Sequence, residues 1–136
     1  MISLLMFMLL GSTSPQAADA QVLAELSFQR EGGRIQYQAL SDGTVLKRVG
    51  GRIRRQTQVP GVIFEHDVKG MLFSGLEGLR KGPGVNVARC LDSEARVVVP
   101  GAKPFQVCED DASAREVLQL RAEAFEIVMK RDYSHP

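Results

Sequence analysis

The stretch Val22-Leu23-Ala24-Glu25-Leu26-Ser27-Phe28-Gln29-Arg30-Glu31-Gly32-Gly33-Arg34-Ile35-Gln36-Tyr37-Gln38-Ala39-Leu40-Ser41-Asp42-Gly43 decides the fold. Val22, Ala24, Leu26 and Phe28 alternate with mostly polar residues, and Ile35, Tyr37 and Ala39 do so again. A period of two puts one set of side chains on each face of a strand. Glu31-Gly32-Gly33 and Ser41-Asp42-Gly43 carry residues that tolerate the positive φ of tight turns. The reading is a hairpin followed by a second turn, the opening of an antiparallel sheet.

Working towards the C-terminus, Thr44 to Val49 continues the pattern, and Gly50-Gly51 turns into Arg52 to Val59. Pro60-Gly61 precedes Val62 to Asp67, and Lys69-Gly70 precedes Met71 to Ser74; both apolar runs are expected to be strands. Gly75 to Gly84 has no period and reads as a loop with room for one helical turn at Leu76, Leu79 and Arg80. Val85 to Leu91, Ala95 to Val99 and Phe105 to Cys108 complete the expected strands. Ala112 to Arg131 is free of Gly and Pro and is expected to be a helix. Ser113 and Glu116 suit a capping box, and Val117, Leu120, Ala124, Ile127 and Val128 form an apolar stripe that Leu118 and Phe125 widen. The fold class is therefore α+β: an antiparallel sheet of roughly eight or nine strands, with one C-terminal helix packed on it.

Working towards the N-terminus, Met1 to Leu10 is an apolar run that ends at Gly11, and small and polar residues lead on to Ala18-Asp19-Ala20. This is the order of a signal-peptide core and an A-x-A cleavage site, although no basic residue precedes the run. It is much shorter than the roughly 20 apolar residues of a membrane span. The expected organisation is a signal peptide over 1–20, a single domain over 21–131 and a frayed tail over 132–136. The mature protein is then periplasmic or secreted, with no membrane span and, lacking a cysteine after the apolar run, no lipid anchor. Two cysteines, Cys90 and Cys108, in an exported chain imply one disulfide.

The chain has 136 residues, 44% of them apolar, and a formal charge of +1. Mixed charge of this kind disfavours nucleic acid, which is bound largely by excess Lys and Arg. Of two histidines, His66 alone is placed for acid–base work. In a strand it would share its face with Phe64 and Val68, while Glu65 and Asp67 point away. No nucleophile motif, phosphate loop or metal-ligand spacing is present, so no catalytic residue, metal or cofactor is assigned. The acidic run Glu109-Asp110-Asp111, with Asp92 and Glu94, offers hard oxygens, but helix capping accounts for it.

The densest local feature is the basic hairpin Lys47, Arg48, Arg52, Arg54 and Arg55. Strict alternation would set Arg52 and Arg54 on one face and Ile53 with Arg55 on the other. The cations read either as a solvated outer face or as a surface for an anionic envelope component or a protein partner, and the second reading makes the chain a non-enzymatic envelope protein. The alternatives are a carrier of an apolar ligand between sheet and helix, and a hydrolase of unknown type.

The order Val45-Leu46-Lys47-Arg48-Val49-Gly50-Gly51-Arg52-Ile53-Arg54-Arg55, then Val62-Ile63 and Asp67, then Gly70-Met71-Leu72, resembles the strand-turn-strand core of secreted bacterial domains of unknown function with a LolA-like, lipoprotein-carrier-like shape. The resemblance spans roughly residues 22 to 130. It implies a curved, incompletely closed antiparallel sheet, a half-barrel, whose concave apolar face is covered by helix, in some relatives around a lipid-sized cavity. No functional residue carries over.

Overall fold

The computed structural model describes residues 20–82, 90 and 93–134. Among these residues, six strands form one antiparallel sheet in the order β4-β3-β2-β1-β5-β6 that does not close on itself. They are β1 (Val22–Arg30), β2 (Gly33–Leu40), β3 (Thr44–Val49), β4 (Arg52–Gln58), β5 (Glu94–Val98) and β6 (Phe105–Cys108). The first four are a meander joined by the expected glycine turns. At Gly43 the φ is +89°, and a Cβ would stand 2.5 Å from the Val59 carbonyl oxygen, so both conformation and space require glycine there.

The sheet has fewer strands than the sequence suggests, and the main reason lies between β4 and β5. Val62 to Asp67 and Met71 to Ser74 are not strands. Gly61–Ile63 and Lys69–Phe73 are α-helical, and Phe64–Val68 between them is a turn of π-helix. Phe64, Val68 and Leu72, spaced four apart, are buried at 3%, 0% and 0% exposure, and the helical turn Leu76–Leu79 continues the line through buried Leu76. A four-residue apolar repeat over more than three turns outweighs the β propensity of Val62-Ile63-Phe64. The strand expected over Val85 to Leu91 falls almost wholly outside the described residues.

One face of the sheet presents Leu26, Phe28, Tyr37, Ala39, Val45, Ala95, Val97, Phe105 and Val107, all buried in one apolar core with the helices. The C-terminal helix, Ala112–Lys130, closes this face. Its cap is Asp111, whose carboxylate accepts from the Ala114 N–H at 2.9 Å; the expected capping box at Ser113 and Glu116 does not form, because Asp111 already holds the N-cap position. The buried side of the helix centres on Ala114, Leu118, Phe125 and Val128, whereas Leu120 and Ile127 are about half exposed. The stripe is thus rotated from its sequence reading, since the neighbouring helical turns as well as the sheet take up the helix surface. Beyond the helix, Tyr133 folds back and its hydroxyl donates to the Val128 carbonyl. None of the described helices is long and apolar enough to cross a membrane.

Cys90 and Cys108 are joined by a disulfide, tying the segment before β5 to the end of β6. The next residue, Glu109, accepts both N–H arms of the Arg30 guanidinium at 2.8 and 3.0 Å, and the Ser93 hydroxyl as well. Burial pushes the Glu109 carboxyl up, but the hydrogen bonds from Arg30 and Ser93 and the charges of Arg30 and Arg115 outweigh it and hold it below the usual range. Two members of the acidic run are therefore structural: Glu109 locks β1 to the end of β6, and Asp111 starts the helix.

Candidate functional site

The basic hairpin is β3–β4, and its five cations separate. Lys47 pairs with Arg55 and Val49 with Arg52, but a register shift pairs Arg48 with Ile53 and leaves Arg54 as the extra residue of a bulge. The bulge breaks the alternation expected from sequence, so Arg55 joins Lys47 on the helix side of the sheet instead of sharing a face with Ile53. There the Glu126 carboxylate reaches down from the C-terminal helix. It accepts from Lys47 Nζ at 2.8 Å, from the Tyr37 hydroxyl at 2.8 Å and from Arg55 at 3.4 Å. The Lys47 ammonium also lies 5.5 Å from the Tyr37 ring centre, and that ring packs on Phe125 at 5.4 Å.

Lys47 and Arg55 are thus spent on joining hairpin to helix. Burial raises the Tyr37 hydroxyl far above its ordinary value, and its hydrogen bond to Glu126 adds to the effect. Burial also pushes Glu126 up, yet hydrogen bonds from Lys47 and Tyr37 and the charges of Lys47 and Arg55 prevail and hold the carboxyl low. A carboxyl lowered by folding stabilises the fold above its unfolded pKa, roughly 4.3 for glutamate, and that stabilisation is lost as pH falls through the folded value. Glu126→Gln is expected to cost about 1–2 kcal/mol at neutral pH, the scale of hydrogen bonds to a charged group, and to flatten the acid limb of stability. Thermal melts from pH 7 to pH 3 check this; equally steep acid limbs for both proteins would refute it.

The other three cations differ. Arg52 and Arg54 are exposed, and no carboxylate among the described residues pairs with either. Arg48 points to the sheet face away from the helix, with its Nε buried and without an acceptor. β4 is also the edge strand of the sheet, and a row of exposed arginines keeps such an edge from pairing with another chain.

His66 does not occupy a strand face with Phe64 and Val68. The helical segment buries those two and leaves His66, Glu65 and Asp67 in solvent. Glu65 is paired with Lys69 at 3.1 Å. No group of three or more His, Cys, Asp or Glu able to hold a metal occurs among the described residues.

The outer sheet face, opposite the helix, holds a second polar cluster that strand-by-strand reading misses. A cleft of about 420 Å³ opens there between side chains of β1, β2, β5 and β6. Arg34 and Arg96 stand in it, each held from beneath: Arg34 donates to the hydroxyl of buried Ser27 at 2.7 Å, and Arg96 to the carboxylate of buried Glu25 at 2.9 Å. Glu25 in turn accepts from the Gln38 amide at 2.8 Å. No family model, no curated protein and no solved structure matches this chain.

Proposed function

We propose that this is an exported, non-enzymatic binding domain of the periplasm or secreted space that meets an anionic partner through the free part of its basic hairpin. The observation that carries the reading is the division of the five cations: Glu126 neutralises Lys47 and Arg55, while Arg52 and Arg54 project from the sheet edge without acidic partners among the described residues. Exposed guanidiniums attract carboxylate or phosphate groups by charge and by paired hydrogen bonds. An intramolecular disulfide suits an oxidising compartment. An open sheet covered by helix on one face is compatible with a LolA-like half-barrel, but an apolar carrier would need room where Leu26, Val97, Leu118 and Phe125 stand at 0% exposure.

The test is binding to vesicles containing phosphatidylglycerol and to alginate as a soluble polyanion. Binding of the intact domain to at least one probe is expected to weaken with salt. Arg52→Glu with Arg54→Glu is expected to weaken it about tenfold or more, equivalent to about 1.4 kcal/mol, with the melting temperature held. Affinity unchanged by the double reversal, or no binding to either probe, would overturn the reading.

A further inference from the structure

An acidic surface that suits the free hairpin cations is present on the chain itself. Along the C-terminal helix from Glu116 to Ile127 the exposed side chains are Glu116, Gln119, Leu120, Glu123 and Ile127, with no cation among them. Leu120 and Ile127 are 47% and 48% exposed, and of the large apolar side chains exposed among the described residues they alone share one element. Spacings of four and three residues align Glu116, Leu120, Glu123 and Ile127 on one face of the helix. That face lies opposite buried Leu118, so neither the sheet nor the other helical turns cover it. Two neighbouring aliphatic groups with two carboxylates beside them have the apolar centre and polar margin of a contact surface.

The basic edge matches this face in charge and in spacing. β4 carries no acid, and none of Arg52, Arg54, Glu116 and Glu123 forms an ion pair among the described residues. Within one copy the helix meets the hairpin through Glu126 instead, so these four charges are left to be met from outside the copy that carries them. Glu116 and Glu123 are about 10 Å apart along the helix, and Arg52 and Arg54 about 7 Å apart along the strand. Long arginine side chains span the difference, and their aliphatic stems can cover Leu120 and Ile127. The arginines that keep β4 from pairing with another strand leave it open to a helix. A two-fold axis makes the contact twice, each copy giving one edge and one helix face. We propose that a second copy of this chain occupies the hairpin edge, forming a dimer in which Arg52 and Arg54 of each copy lie on Glu116 and Glu123 of the other.

The test is light scattering on the intact, disulfide-bonded protein over a range of concentration and salt. A mass of two copies is expected, falling towards one copy as salt rises. Arg52→Glu with Arg54→Glu, or Glu116→Arg with Glu123→Arg, is expected to weaken the dimer about tenfold or more, because like charges then face each other. Circular dichroism should show both variants folded. Mixing the two variants one to one restores opposite charges at both contacts, and the two-copy mass is expected to return. A one-copy mass at low salt and high concentration, a dimer that survives either reversal, or a mixture that stays monomeric would each overturn the dimer. Alginate separates this outcome from the reading on which the dimer rests, that Arg52 and Arg54 are the binding part of the hairpin. A monomeric wild type that binds alginate through them overturns the dimer and leaves that reading standing. If the dimer forms, but Glu116→Gln with Glu123→Gln frees the edge and neither alginate nor the vesicles bind it, the dimer stands and the polyanion reading falls.

Discussion

Phe125→Ala is expected to lower stability by about 4 kcal/mol, in the upper range for removing a buried aromatic side chain. Phe125 is wholly buried at the centre of the helix face and packs on the Tyr37 ring. Its loss opens a cavity where the C-terminal helix meets β2, beneath the Glu126 cluster that fastens the same helix to the hairpin. The site is confined by Tyr37 below and by neighbours such as Leu118 and Val128, also at 0% exposure, so collapse into the cavity is limited. Small domains are stable by only about 5–15 kcal/mol, so a loss of this size is a large part of the whole. Urea unfolding followed by circular dichroism would measure it, with Phe125→Leu retaining most of the stability because it keeps most of the volume. A loss under about 1 kcal/mol for Phe125→Ala would show that the helix is not held at this point.

Removing the disulfide, by Cys90→Ser with Cys108→Ser, is expected to cost about 3 kcal/mol. The cross-link joins positions 18 apart in sequence, and closing a loop of that length restricts the unfolded chain by about this amount. The effect reaches further than the loop. Cys108 ends β6 at the outer edge of the sheet, and Glu109 directly after it holds Arg30 of β1. Without the bond, that edge depends on β5–β6 pairing, on the Arg30–Glu109 fork and on the hydrogen bonds of Glu109 with Ser93 and Arg115. The check is the urea midpoint with and without reductant: the reduced wild type should match the double serine variant, and a midpoint unmoved by reduction would refute the expectation.

The meander was readable because its information is local. Glycines at the turns and a strict period of two in Leu26-Ser27-Phe28 and Ile35-Gln36-Tyr37 dictate both the strands and the buried face, and the pairings Leu26 with Tyr37 and Phe28 with Ile35 follow from the turn. The helical segment after Pro60 was misread because Val62-Ile63-Phe64 has β character, while the competing signal, Phe64, Val68, Leu72 and Leu76, becomes visible only across a longer window. Of the candidate site, the cations were legible and their division was not. It depends on a one-residue bulge at Arg54 and on Glu126, which lies 71 residues after Arg55 and 79 after Lys47.

The outer cleft was beyond sequence reading for a related reason. Gln29 and Arg34 can be paired from the hairpin turn, but Arg96 and Gln106 reach them only because β5 returns to lie against β1. The sequence by itself determined the first hairpins, the C-terminal helix, the pairing of the only two cysteines and the presence of a cationic hairpin, since each rests on local periodicity, turn chemistry or composition. Tertiary structure alone decided which arginines are neutralised, which face the helix occupies and which side chains share the cleft. Those outcomes are set by strand order, register and long-range packing, where a shift of one residue sends a side chain to the opposite face of the sheet.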